Sequence, residues 1–109
     1  MTDNIPAVLQ RDQEGFLVNL SDWSETNAQL IAQGEDITLT PHHWEILQLL
    51  REFYRKTETA PAMRPLVKLV REACGSERGN SVYLMTLFGG RPAVTAAKIA
   101  GLPRPTNCL

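Results

Sequence analysis

The sequence predicts an α+β fold: a mostly helical small domain of four to five short helices, with an N-terminal β-hairpin and an extended C-terminal arm. Apolar residues recur at helical spacing in several segments. Two short apolar runs flank a glycine-containing turn near the N-terminus. Two prolines follow the last glycine and favour an extended backbone. At 109 residues the chain is long enough for one domain with its own core.

The hairpin is predicted from two apolar runs, residues 5–9 and 16–20, which flank the polar stretch RDQEG. Gly15 ends that stretch and can adopt the positive φ that a tight turn requires. We therefore expect the two runs to pair as short antiparallel strands.

The first helices are predicted from their start and stop residues. Ser21 or Ser24 can cap a helix that ends near Gly34, because serine favours the first position and glycine the last. In LTPHHWEILQLLREFYRK, Thr40 is a capping residue and Pro41 fits the first helical position. The wide apolar face of this second segment predicts the central helix of the core.

Three shorter helices and a tail follow. The helices are expected at residues 65–74, from Asn80 or Ser81 up to Gly89, and at residues 92–100. We predict a single globular domain over residues 1–100 and a mobile arm over residues 101–109, with Gly101 as the hinge. Pro103 and Pro105 are expected to keep that arm extended.

Composition indicates the class of protein and its compartment. The chain is 43% apolar and 21% charged, which is typical of a globular protein. No apolar run is long enough to span a membrane, and the N-terminus lacks the features of a signal peptide. Two cysteines are too few for a secreted disulfide scaffold. We therefore expect a cytoplasmic protein without a membrane partner.

Charge is distributed unevenly along the chain. Residues 1–50 hold one basic and eight acidic residues, and residues 51–109 hold ten basic and four acidic ones, so charges of −7 and +6 give the net −1. Either the two halves pair with each other in the fold, or the basic half faces an anionic partner.

The penultimate residue, Cys108, is the candidate reactive group. A thiol on a mobile arm can accept a group at one protein and present it to another, and this chemistry needs the thiolate, whose unperturbed pKa is about 8.5. Arg104, Lys98 and Arg91 are the candidates for stabilising that thiolate or docking the arm. The alternative is a disordered tail with an incidental cysteine. Cys74, at the end of an apolar helical stripe, is expected to serve packing.

Two other patterns suggest different functions. His42 and His43 are weak metal ligands, because adjacent helical residues point about 100° apart and no further ligand stands at a suitable spacing. Arg64, Lys68 and Arg71 share one helical face. This spacing fits the recognition helix of a helix-turn-helix DNA-binding regulator. That helix lacks the Asn, Gln and Ser cluster that would read base edges.

Several stretches occur in an order that resembles a known family. They are DQEGFL, LTPHHWEILQLLREFY, PAMRPLVK, GNSVYLMTLFGGRPAVTAAKIAGLPRP and the ending KIAGLPRPTNCL. Together they cover nearly the whole chain, and they resemble the TusE/DsrC family of small sulfur-carrier proteins. The resemblance implies that Cys108 carries sulfur as a persulfide.

One position separates the branches of that family. The DsrC branch, which serves dissimilatory sulfite reductase, has a second cysteine eleven residues before the penultimate one, and here that position is Ala97. The resemblance therefore implies the TusE-like branch. It also implies that Cys108 accepts sulfur from the TusD subunit of a TusBCD-like complex and passes it to an MnmA-like thiouridylase bound to tRNA, without metal or cofactor. A DsrC-like partner of sulfite reductase is kept as the alternative within the family.

Overall fold

The computed structural model describes residues 9–105, and this part of the chain is all-helical. A 3-10 turn at Leu20–Asp22 precedes five α-helices within that range. The helices are α1 (Glu25–Gly34), α2 (Pro41–Thr57), α3 (Met63–Cys74), α4 (Ser81–Phe88) and α5 (Pro92–Ile99).

The predicted β-hairpin and the α+β class are wrong. Residues 5–8 of the first apolar run lie outside the described residues, and from residue 9 onward the segment forms a single antiparallel bridge, between Arg11 of the polar stretch and Leu17 of the second run. The Asp12 carboxylate accepts hydrogen bonds from the backbone N–H groups of Glu14 (2.9 Å) and Phe16 (3.0 Å). Such local bonds compete with a strand ladder. The segment is therefore a tight turn that continues into the 3-10 turn.

The predicted starts of α1, α2 and α4 are confirmed, whereas α3 begins at Met63, two residues before the predicted position. The Ser24 side chain accepts a hydrogen bond from the backbone N–H of Asn27 at 3.1 Å, and the Asn80 side chain accepts one from Tyr83 at 2.8 Å. Pro41 opens α2 directly after Thr40. Each cap satisfies donors that the first helical turn leaves free.

The core is built around α5 rather than around α2, which was predicted to be central. α5 packs against each of the other four helices. Ala96 and Ala97 are fully buried, because their small side chains let neighbouring helices approach closely. From α2, Ile46 and Leu50 are also fully buried. The helix that leads to the predicted arm is thus the central element of the fold.

No helix within residues 9–105 is both long enough and apolar enough to cross a bilayer. The arm predicted to begin at residue 101 is packed on the fold where it starts, since Gly101 is buried and Leu102 is 2% exposed. The division into a domain over residues 1–100 and an arm over residues 101–109 stays a prediction, as does the cytoplasmic location.

Candidate functional site

The candidate site lies where the chain leaves α5. Cys108 itself lies outside the described residues, together with the rest of residues 106–109. The structure describes the segment that leads to it. We define the arm root as residues 99–105.

Two residues from elsewhere in the chain hold the end of α5. The indole N–H of Trp23 donates a hydrogen bond to the carbonyl of Ile99 at 2.9 Å. Arg51 Nη1 donates to the carbonyl of Ala100 at 2.7 Å, and its guanidinium lies over the Trp23 ring, 3.8 Å from the centroid. These contacts satisfy carbonyls that a helix end leaves free. The chain therefore leaves α5 in a direction that Trp23 and Arg51 fix.

Gly101 makes the sharp turn at this point. Its φ is +76°, a conformation that favours glycine. The N–H of Gly101 donates to the carbonyl of Lys98 at 3.1 Å, and the N–H of Leu102 donates to Ala97 at 2.9 Å. This pair of bonds is the Schellman ending of a helix. These two hydrogen bonds hold the turn at Gly101. The predicted hinge motion at this residue stays a prediction.

Lys98 and Arg104 converge on the ring of Phe16, which is 2% exposed. Lys98 Nζ lies 5.6 Å from the ring centroid and 2.8 Å from Glu35 Oε2. Arg104 Cζ lies 4.8 Å from the same centroid. Cations near an aromatic face are attracted by the ring's quadrupole. The arm root is thereby attached to the turn that contains Asp12, Glu14 and Phe16.

Arg104 also pairs with two carboxylates of that turn. Its Nη2 donates to Asp12 Oδ2 at 2.9 Å, and its Nε donates to Glu14. Burial works to raise the pKa of Asp12, but the backbone N–H groups of Phe16 and Glu14 and the Arg104 guanidinium outweigh it, so that this pKa lies below its ordinary value. The hydrogen bond to Glu14 raises the pKa of Arg104. Asp12 and Arg104 are therefore both charged at neutral pH.

The three predicted support residues therefore lie in two places. Lys98 and Arg104 are each bound to carboxylates near Phe16, whereas Arg91 is exposed at the start of α5. Their action on the Cys108 thiolate stays a prediction. The pairs of Lys98 and Arg104, with the Arg78–Glu45 pair, join the basic half of the chain to the acidic half. These contacts favour the interpretation that the two halves pair.

A groove of about 460 Å³ lies beside the end of the described arm. We call it the arm groove; its walls come mainly from α3, α4 and α5 and are mostly apolar. The residues that define it are Met63, Met85, Arg91, Val94 and Pro105. Cys108 follows Pro105 by three residues, a reach of about 10 Å for extended chain. The chain length therefore sets an upper limit on the distance between Pro105 and Cys108.

The remaining candidates have structural roles. His43 is buried with both ring nitrogens engaged, by the backbone N–H of Thr40 at 3.1 Å and the carbonyl of Leu87 at 2.8 Å. Over residues 9–105, no three potential metal ligands cluster together. Cys74 is half-buried and packs against the core, as predicted.

Sequence reasoning missed Trp23, Arg51 and Phe16, which hold the arm root. The contacts of Trp23 and Arg51 span 76 and 49 residues along the chain, so no local spacing indicates them. The cations over the Phe16 ring come from Lys98 and Arg104, which are likewise distant along the chain.

The fold and the site define a small helical protein whose chain leaves α5 in a fixed direction, passes an apolar groove at Pro105 and continues in sequence to a penultimate cysteine. The chain belongs to the family described as DsrC like protein, which it matches over residues 6–109. Curated relatives include Sulfurtransferase TusE of Photorhabdus laumondii, 50% identical over 93% of this chain and 91% of that protein. Sulfurtransferase TusE of Escherichia coli (strain K12) is 48% identical over 93% of both chains.

Solved structures agree with this assignment. The NMR structure of Allochromatium vinosum DsrC has a TM-score of 0.84 at 44% identity, covering 93% of this chain and 90% of that one. The oxidized gamma-subunit of the dissimilatory sulfite reductase from Archaeoglobus fulgidus has a TM-score of 0.81 at 37% identity, covering 93% and 92%. The predictions of the TusE/DsrC family and of a sulfur-transfer function are confirmed.

Proposed function

We propose that the chain is a single-cysteine sulfur carrier, with a persulfide on Cys108 as the carried form. The match to curated sulfurtransferases over more than nine-tenths of the chain carries this proposal. The arm contains one cysteine, and the position eleven residues earlier holds Ala97. Ala97 is fully buried in α5, where its side chain fills the core.

The chemistry requires only sulfur nucleophiles. The Cys108 thiolate attacks the terminal sulfur of a donor persulfide; a new S–S bond forms on Cys108, the donor's S–S bond breaks, and the donor leaves as a thiolate. Delivery repeats the step with an acceptor thiolate as the attacking group. Electrons balance in each exchange, so no oxidant or cofactor is consumed.

The partners follow from the TusE-like branch. We propose that a TusD-like subunit of a TusBCD-like complex is the donor, and that an MnmA-like thiouridylase bound to tRNA is the acceptor, giving 2-thiouridine at the wobble position. The contacts of the arm root indicate a common docking position for the two partners. Because Trp23 and Arg51 anchor the start of the arm root and Arg104 anchors its end, we expect both partners to meet the arm beside the arm groove.

Ala97 favours this function over a partnership with sulfite reductase. A cycle between two thiols of the arm would need a cysteine at this position, and alanine cannot take part in thiol exchange. The names of the curated relatives also support sulfur carriage above a DNA-binding regulator.

The test is the intact mass of the protein after incubation with a cysteine desulfurase, cysteine and TusBCD-like proteins. The native chain is expected to gain one sulfur atom, which a thiol reagent removes. Cys108→Ser is expected to gain none. Cys74→Ser is the matched control, since it removes the other thiol, and it is expected to load like the native chain. Equal loading of Cys108→Ser, or no loading of the native chain, would refute the proposal.

A further inference from the structure

We propose that four exposed cations next to the arm groove bind the phosphate backbone of RNA; the inference rests on the proposed function and deepens it. We call them the basic stripe. The stripe consists of Arg64, Lys68, Arg71 and Arg91.

Nine of the ten cations of the basic half fall into two groups; the tenth, Arg51, donates to the carbonyl of Ala100 and lies over the Trp23 ring. One group is paired with carboxylates: Arg55 and Lys56 share Glu52, and Arg78, Lys98 and Arg104 pair with acidic residues of the first half. The stripe forms the other group. Within residues 9–105, none of its members has an ion pair with a carboxylate. Unneutralised cations gathered on one side of a protein attract a polyanion.

Three members of the stripe occupy one face of α3. Arg64, Lys68 and Arg71 are spaced by four and three residues, so they lie in a row about 10 Å long. Arg71 is held in place, since its Nη2 donates to the carbonyl of Gly79 at 3.1 Å. Arg71 is therefore the positioned member of the row, whereas Arg64 and Lys68 have no side-chain hydrogen bond to any described residue.

The stripe begins beside the groove that Pro105, the last described residue of the arm, helps to line. Arg64 directly follows Met63, which lines the arm groove, and Arg91 lines the same groove with Pro105. A polyanion on the stripe would therefore run beside the segment that carries Cys108. In the proposed function the sulfur is transferred to a base of tRNA. The polyanion expected on the stripe is therefore an RNA backbone.

The composition of α3 favours backbone contact over base reading. Arginine and lysine suit phosphate oxygens, and the exposed face of α3 offers no Asn, Gln or Ser side chain for base edges. The apolar arm groove suits a protein partner, whereas the row on α3 leads away from it and carries the charge. Two surfaces thus serve two parts of one acceptor complex.

The experiment is fluorescence anisotropy of a labelled, unmodified tRNA transcript titrated with the full chain under reducing conditions, at several salt concentrations. The variant is the double substitution Arg64→Gln with Lys68→Gln. The matched control is Arg55→Gln with Lys56→Gln, which removes the same charge from two exposed cations that share an ion pair with Glu52. Circular dichroism checks that both variants stay folded.

Binding of the native chain is expected to weaken linearly with salt on logarithmic axes. Each phosphate contact contributes about 0.7 to 0.9 to that slope, so the stripe variant is expected to lose about 1.4 to 1.8 and the control much less. Equal losses in both variants, absence of tRNA binding, tighter binding of a DNA duplex of equal length, or stronger competition by polyglutamate than by RNA would overturn the inference.

Failure of the stripe and failure of the proposed function are distinguishable. The stripe variant is expected to load sulfur on Cys108 like the native chain in the mass assay. Cys108→Ser is expected to bind tRNA like the native chain. A native chain that binds tRNA but gains no sulfur would refute sulfur carriage alone. A native chain that gains sulfur but does not bind tRNA would refute the role of the stripe alone.

Discussion

Gly101 lies directly beneath the indole of Trp23: a Cβ atom on Gly101 would stand 2.3 Å from Cδ1 of that ring. The φ of Gly101, +76°, is also one that side chains disfavour. Two independent requirements therefore select glycine here. Both serve the same end, which is the direction in which the chain leaves the core toward Cys108.

We predict that Gly101→Ala destabilises the protein by at least about 2 kcal/mol. Left-handed backbone costs a non-glycine residue about 1 to 2 kcal/mol, and the clash with Trp23 adds an overpacking cost. Urea unfolding measures the effect. Gly34→Ala is the control, because a Cβ at that helical position meets no atom within 4 Å and is expected to be neutral or stabilising. A Gly101→Ala protein as stable as the Gly34→Ala protein would contradict the prediction.

Trp23→Phe is expected to loosen the end of α5. Phenylalanine keeps an aromatic face for Arg51 but loses the N–H that donates to Ile99, leaving a part-buried carbonyl unpaired at a cost of about 1 to 3 kcal/mol. Trp44→Phe is the matched control, since its indole has no hydrogen bond to any of the described residues. The free energy of unfolding should fall by at least about 1 kcal/mol more for Trp23→Phe than for Trp44→Phe. Equal losses would show that ring volume alone matters.

The helices were predictable because their signals are local. Ser24 and Asn80 are capping residues that lie a few positions from the groups that they bind. The local sequence pattern therefore predicts both helix starts. The prediction of the hairpin was wrong for a local reason too. Apolar runs around Gly15 fit a hairpin, but the Asp12 side chain takes the backbone donors that a ladder would use.

The site was predictable only in part. The resemblance implied Cys108 and the absence of a second arm cysteine, and spacing indicated the row on α3. The clamp of Trp23 and Arg51 could not be foreseen, because tertiary packing alone brings them to Ile99 and Ala100. Local pattern predicts elements, while the attachment of the arm root depends on long-range contacts.

His43 is expected to be required for stability and His42 to be dispensable. The Thr40 N–H donates to Nδ1 of His43, so the proton of the neutral ring is on Nε2, where it donates to the carbonyl of Leu87. His43→Leu leaves these groups unpaired and is predicted to cost about 1 to 3 kcal/mol. His42→Leu, at an exposed position, should change the free energy of unfolding by less than about 0.5 kcal/mol. Nitrogen NMR showing the proton on Nδ1 would refute the assignment.

The pairing of Asp12 with Arg104 predicts a dependence of stability on pH. The pKa of Asp12 lies below its ordinary value of 3.8 in the folded chain, so the unfolded chain binds this proton more readily. The resulting stabilisation is present above pH 3.8 and is lost as the pH falls through the folded-state pKa. Asp12→Asn, which cannot titrate, should therefore lose less stability than the native chain on acidification. Carbon NMR titration measures the pKa directly: Arg104→Gln should raise it, and a native value at or above 3.8 would contradict the prediction.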